Sequence, residues 1–540
     1  MSSGSMRGDL SLSAPLREDP PLGWLGYPRG AWLIISVEFW ERFSFYGMLG
    51  ILALFLTGDA AHGGFAWSSA RALSLVGAYS GAMYAFPAFG GYLADHVFGR
   101  RRAVALGASV MLIGQALLPS PAYLPALLGM WHGAPLLQSL RSLPVPLGDL
   151  HRSAEVVRAI AQHGATLDAA HGARWLSQAY AASGIGFYVA IFLLILGNAL
   201  MKSTLVVLCG ETFRPDDPRR EGAFAYYYLG ISVGAMLSGF AVGIVSDWLG
   251  WAYGFAVAAV GMAVSLSLYL TLGPRWLKGI GEREGASAAG VSAAAAPAAA
   301  SAPPDDPVSA SGAPSAATAA HRRATTLRIV LVLLLAGLMC MFSTGWFQMF
   351  GSWLLFIDRS VNRSVGSFVV PVPWFSSINA IVVIGVAPLV AALWIRLAAR
   401  NRAVDIVQKY FFALCMAMLG NALMYLAGLI AAHATKAPLW MPLAGVSLLG
   451  LGEIVAWTAT YGFVTRAAPP GYVSMTMGAW YLLTLGLGGY LSGVTGQWVD
   501  SIGYSATFGG VAATMAFFAI VALLFRGALL RLATRAGVAL

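Results

Sequence analysis

About twelve stretches of roughly twenty mostly apolar residues recur along this 540-residue chain, and they constrain its fold more than any other feature. Each is long enough to cross a hydrocarbon layer as a helix, the one open-chain structure that satisfies its own backbone polar groups there. The stretches centre near Ile51, Ala82, Val110, Leu193, Val233, Val260, Leu333, Val383, Met418, Leu449, Leu485 and Phe518. Only 10% of the residues are charged, too few to cover the surface of a water-soluble protein of this size. The expected class is therefore an all-α, multi-pass membrane protein with the lipid bilayer as its main partner.

Charge placement gives the orientation. Basic residues cluster at Arg100-Arg101-Arg102, Arg214 to Arg220, Lys278, Arg322-Arg323, Arg396 to Arg402, Arg466 and Arg526 to Arg535. With twelve crossings all of these fall on one side, the side of the N-terminus. That is the positive-inside pattern, and it predicts cytoplasmic termini in a cell (inner) membrane. The net charge of +10 is thereby accounted for without a nucleic-acid partner. The first 30 residues have no apolar core and read as a tail. Cys209, Cys340 and Cys415 fall within or at the end of apolar helices, with no disulfide or zinc spacing.

Residues 285–320 are dominated by Ala, Ser, Gly and Pro, a composition that cannot bury a core. The division that follows is a tail over 1–30, a first half over 31–273, a cytoplasmic linker over 274–326, a second half over 327–530 and a tail over 531–540. Residues 119–180 form an insertion on the far side, with an amphipathic pattern at Val156, Val157, Ile160 and Leu167; His132, His151, His163 and His171 within it match no metal motif. After the second apolar stretch the chain reads Gly90-Gly91-Tyr92-Leu93-Ala94-Asp95-His96-Val97-Phe98-Gly99-Arg100-Arg101-Arg102. A weaker copy, Pro388 to Ala391 and Arg396 to Arg402, follows the eighth. Six helices on either side of a central loop is the organisation of the major facilitator superfamily, and the first copy resembles that superfamily's loop motif. The resemblance implies a charge network of Asp95, Arg100 and Arg101, with Gly91 and Gly99 permitting the turn. His96 reads as a loop residue.

Ionisable residues inside spanning helices are costly, and each marks a candidate site. Helix 1 carries Glu38, Glu41 and Arg42, helix 4 Lys202 and helix 10 Glu453. Spacings of three and four put both carboxylates and the guanidinium on one helix face. The arginine keeps its charge, so it can hold one carboxylate ionised while the other takes a proton. Glu38, Glu41, Arg42 and Lys202 are accordingly the candidate proton-coupling set. Locking helices together by ion pairs is the alternative that these residues alone leave open.

Their neighbours extend the reading. Val37-Glu38-Phe39-Trp40-Glu41-Arg42-Phe43-Ser44-Phe45-Tyr46-Gly47-Met48 resembles the helix 1 signature of the proton-dependent oligopeptide transporter family, Glu-x-x-Glu-Arg-Phe-x-Tyr-Tyr-Gly, departing at Phe45. Leu196 to Lys202 resembles its helix 4 segment. Tyr227 to Gly234 resembles Phe-Tyr-x-x-Ile-Asn-x-Gly of helix 5, with Tyr228 at the family's tyrosine and Ser232 at its asparagine. Gln348 and Phe356, Pro373 and Asn379, Gly452-Glu453 with Pro469, and Met477-Gly478-Ala479-Trp480 resemble later signatures. The resemblance implies a central cavity for a di- or tripeptide and no cofactor, with protons as the coupling ion and a monomeric functional unit. Lys202 with Tyr46 and Tyr228 would take the substrate carboxylate. Glu453 would take the amine, with Asn379 hydrogen-bonding at that end. Ser232, Gln348, Trp457 and Trp480 complete the candidate substrate set. A zwitterion entering a dry cavity needs fixed opposite charges at its two ends, which the charge placement supplies independently.

Three departures bear on specificity. Leu49 and Phe347 stand where many family members carry a gating Arg and acid, and losing both leaves no unpaired buried charge. Asp358 and Arg359 lie further outward. Trp457 and Thr458 replace the usual Ser-Pro of helix 10, and a tryptophan one turn after Glu453 takes up cavity volume. These keep open a second cargo, another small carboxylate or zwitterion. A non-transporting receptor or scaffold is a third reading. An enzyme is disfavoured, because no Ser/His/Asp arrangement, metal spacing or phosphate loop lies on the helices.

Overall fold

The computed structural model describes residues 22–58, 64–120, 167–214, 217, 219–281, 316–400, 402, 404–433, 436–468 and 473–538. These form twelve helical passages: α1 Arg29–Thr57, α2 Ser69–Phe98, α3 Arg100–Leu117, α4 Leu167–Glu211, α5 Arg219–Leu249, α6 Trp251–Trp276, α7 Arg322–Ser360, α8 Trp374–Ala399, α9 Ile406–His433, α10 Trp440–Ala467, α11 over 473–497 and α12 Val499–Ala536. Ten of them are long and apolar enough to cross a membrane. The other two are α3, whose first three residues are arginines, and α11, which a π-helical turn over Leu482–Gly486 interrupts.

Local chemistry sets several boundaries. Ser68 caps α2 by accepting from the Arg71 amide at 3.3 Å. Pro87, which has no N–H to give, breaks α2 after Ala85. Gly99 has φ 76°, a conformation that lets the chain leave α2 and start α3 at once.

The helices pack as two six-helix halves. α1 lies against α5 and α6, and α3 against α4; α9 lies against α10 and α12, and α7 against α12. The halves meet through α2 on α11 and α5 on α8. Both contacts are tightest at the end of the bundle away from the chain termini. There Gly77 faces Gly493 and Gly489, and Ser377 Oγ donates to the Met236 carbonyl at 2.7 Å. Leu389, Ile395, Leu524 and Phe525 stand 58–74% exposed on the outside of the bundle. Such an apolar belt is a liability in water and the expected face toward lipid. The protein is an integral, multi-pass membrane protein.

Several expected boundaries shift. Residues 167–180 of the expected insertion are helical and continuous with α4; residues 121–166, including Val156, Val157, Ile160 and three of the histidines, lie outside the described residues. The expected linker is helical from Ala316, and its beginning folds back: Leu277 and Ile280 are buried, and the Gly281 carbonyl accepts from the Arg101 amide at 3.1 Å. α12 runs on to Ala536, past 530, where its last carbonyl accepts from Arg328 Nε at 2.9 Å. Before α1, Trp24 packs 5.2 Å from Trp32, whose indole donates to the Trp24 carbonyl at 2.9 Å. Aromatic packing and unspent hydrogen bonds draw these flanks onto the bundle, and neither shows as hydropathy.

Candidate functional site

The helix 1 charges and Lys202 come together inside the first half. Glu38, Glu41 and Arg42 are all buried to within 2% of full. Arg42 forms a two-pronged pair with Glu41, with one prong at 2.6 Å from Nη2 to Oε1. Its Nε also lies 3.4 Å from Glu38 Oε1. The same Glu38 oxygen accepts from Lys202 Nζ at 3.3 Å. Two anions and two cations thus balance, which is what allows four charges to stay in a dry interior. Their arrangement is uneven. Among the described residues Glu41 pairs with Arg42 alone, whereas Glu38 Oε1 is shared by Arg42 and Lys202 and its Oε2 has no hydrogen-bond partner.

The surroundings hold this set in place. Asn198 Oδ1 lies 3.4 Å from Arg42 Nη2, while its amide nitrogen donates to the Met83 carbonyl at 2.8 Å. One side chain therefore ties α4 to both α1 and α2. Phe45, where the signature usually has tyrosine, lies 4.8 Å from the Arg42 guanidinium and offers it a π face instead of a hydroxyl.

The second half contributes Glu453. Its Oε2 accepts from Trp346 Nε1 of α7 at 2.8 Å, and Asn379 of α8 stands beside the carboxylate while donating to the Val446 carbonyl at 3.3 Å. Tyr46 and Tyr228 from the first half are within electrostatic range of Glu453. Tyr46 lies 5.8 Å from the Phe350 ring, and Tyr228 packs on the apolar cluster of Val383, Ile454 and Val455. Both tyrosines therefore reach across to the second half. Trp457 is buried, 6.4 Å from the Tyr481 ring.

Three more of the expected substrate residues are buried and make contacts within the protein. Gln348 is fully buried and donates to Thr495 Oγ1 at 2.7 Å, while its carbonyl oxygen accepts from Ser352. It ties α7 to α11. Ser232 returns its hydroxyl to the Tyr228 carbonyl at 3.2 Å, one turn back. That explains how a residue shorter than asparagine is accommodated without an orphaned group. Trp480 is fully buried with its ring 5.9 Å from Phe463.

The loop motif closes on a residue outside it. Arg100 donates to Asp95 Oδ1 at 2.7 Å and also pairs with Glu211 at the end of α4. A β-carbon on Gly91 would stand 2.9 Å from Ser203 Oγ, so the glycine lets α2 approach α4. Arg101 acts through its backbone, whose carbonyl accepts from Tyr269 at 3.1 Å. His96, expected in a loop, sits in the π-helical last turn of α2, where it stacks on Tyr92 at 4.3 Å and its Nδ1 bonds the Tyr92 carbonyl at 3.0 Å.

At the end away from the termini, Leu49 and Phe347 are both buried, and Phe347 packs edge-on to Tyr84 at 6.2 Å. Asp358 and Arg359 do not pair with each other. Asp358 meets Arg363 at 3.0 Å, and Arg359 crosses to Ser69 Oγ of the first half at 2.8 Å and to Tyr504 at 3.1 Å. Asp500 of α12 accepts from the Ala70 amide at the start of α2 at 2.7 Å.

Trp346, Asn198, Glu211, Asp500 and Tyr227 were not singled out from sequence. Asn198 carried a signal, one turn before Lys202 on the same face. Glu211 was a lone acid at a helix end. Trp346 and Asp500 carried none, because their partners lie more than a hundred residues away.

Comparison with known proteins bears on the family and the fold. The family model described as the POT family (PTR2) matches residues 101–300 and 309–516. The peptide transporter YePEPT of Yersinia enterocolitica subsp. palearctica serotype O:3 (strain YE-P4) is 26% identical over 519 residues, covering 88% of this chain and 89% of the relative. A crystal structure of peptide transporter POT with sulfate superposes with TM-score 0.70 at 21% identity, covering 95% of this chain and 97% of the other. A POT family transporter crystallised with 5-aminolevulinic acid gives 0.69 at 19% identity, covering 94% and 98%. The fold is that of the major facilitator superfamily, and the match extends over both halves. With its family model satisfied over more than half its length and its relatives transporters rather than enzymes, this chain belongs to the POT family.

Proposed function

We propose that the protein is a proton-coupled symporter that takes up di- and tripeptides by alternating access. The observation that carries this is the sharing of Glu38 Oε1 between Arg42 and Lys202. Lys202 turns fully to a substrate carboxylate as Glu38 lets it go. A proton on Glu41 frees Arg42 to turn wholly to Glu38, which weakens the hold on Lys202. Proton and substrate then favour the same rearrangement. Glu453, with Trp346 and Asn379 beside it, receives the substrate amine in the other half, and a zwitterion held at both ends draws the halves together. Residues 31–273 and 327–530 move as the two bodies, with cytoplasmic termini in the cell (inner) membrane and one chain as the functional unit. Relatives named as peptide transporters support the cargo.

The test is uptake of a dipeptide panel into proteoliposomes, with and without an inward proton gradient. Gradient-stimulated uptake is expected; its absence across the panel rejects the reading. A second cargo, another small zwitterion such as an amino acid of peptide length, is favoured by buried Trp457 one turn from Glu453, and by the neighbour crystallised with 5-aminolevulinic acid. A thermal-shift screen in which a non-peptide zwitterion stabilises the protein and no peptide does selects that cargo instead.

A further inference from the structure

Among the described residues of the first half, Glu38 Oε2 and the Tyr227 hydroxyl are both buried polar atoms without a hydrogen-bond partner. Tyr227, on α5, is 6% exposed, and its hydroxyl interacts with the Glu38 carboxylate without meeting hydrogen-bond geometry. Unsatisfied buried groups are rare in native proteins and call for a reason. Here the reason is chemical. Glu38 carries two acceptor oxygens, and both cations sit on one of them. The other oxygen has no hydrogen-bond partner, and neither has the Tyr227 hydroxyl that interacts with the carboxylate. The helix 5 signature has phenylalanine at this position, so the hydroxyl is an addition in this chain.

We propose that Tyr227 is a positioning residue for Glu38: its hydroxyl takes the second carboxylate oxygen when Lys202 leaves the first, holding Glu38 in place and charged while Lys202 serves the substrate. This rests on the proton-coupled reading above. The groups facing the pair are Arg42 and Glu41 on α1, and Lys202 and Cys209 on α4. Of these, Lys202 and Arg42 are the charged donors to the carboxylate, the Cys209 thiol is only a weak one, and Lys202 is the one that leaves. Held by Arg42 alone, Glu38 without Tyr227 would compete for Lys202 again or take up a proton more readily.

The experiment is Tyr227→Phe in the full chain, reconstituted in proteoliposomes, with radiolabelled dialanine as probe. The hydroxyl has no hydrogen bond to lose in this state, so thermal stability and counterflow at equal pH are expected to survive. The pH midpoint of gradient-driven uptake is expected to rise by about one unit, because Glu38 then accepts a proton more readily once Lys202 has left. Binding of dialanine to purified protein across the same pH range, with no gradient, should show the same displacement. Matching midpoints for wild type and variant in the binding titration overturn the role of Tyr227, and that measurement stands even where transport is lost. A wild type whose binding and uptake are both independent of pH overturns the proton-coupled reading, and this inference with it.

Discussion

Gly77→Ala should force the halves apart at the end away from the termini. A β-carbon on Gly77 would stand 2.7 Å from the Gly493 amide nitrogen and 3.1 Å from the Gly489 carbonyl oxygen. All the atoms it meets are backbone, so no side-chain rotation relieves the clash, and α2 and α11 must separate. Overpacking of this kind costs about 1–3 kcal/mol. The clash exists only where the halves touch, so the cost falls on this closed arrangement and leaves one with the halves parted untouched. That converts to a shift of about 5- to 150-fold in their ratio. Spin labels on exposed residues near the starts of α2 and α12 would report it as a new, longer distance population by pulsed electron resonance. Uptake should slow at the closing step while the melting temperature falls little. An unchanged distance distribution in a well-folded variant would refute the claim that this glycine contact seals the bundle.

Other outcomes follow from the same contacts. Asp500→Ala removes the carboxylate that accepts from the Ala70 amide across the halves; it should shift the same spin-label distances in the same direction, by less, since water can replace the lost acceptor. Glu41→Gln should abolish gradient-driven uptake while sparing counterflow, and loss of both would indicate damaged folding instead. Arg42→Ala leaves two buried carboxylates with only Lys202, a cost of about 3–5 kcal/mol; detergent-solubilised variant should show a large drop in melting temperature, and an unchanged one would deny that Arg42 neutralises the site. Trp346→Phe removes the indole donor 2.8 Å from Glu453; substrate affinity should change by about tenfold, measured as KM against kcat, and an unaltered KM would place Trp346 outside the binding reaction.

How much of this was legible in the chain depended on the range of the interaction. Glu38, Glu41 and Arg42 lie within two turns of one helix, so their shared face follows from the helical repeat, and the structure keeps it. The membrane class, the six-plus-six organisation and the family follow from apolar stretches, charge placement and contiguous signatures, all of them local. Tertiary structure alone decided which carboxylate oxygen Lys202 takes, that Gln348 ties helices while Trp346 serves Glu453, and that Arg100 reaches Glu211. It also decided that Tyr227 lies beside the Glu38 carboxylate. Hydropathy and spacing fix which face of a helix turns inward. Which side chain meets which across two packed helices depends on their rotation and depth against each other, and those are set by the packing of the whole bundle.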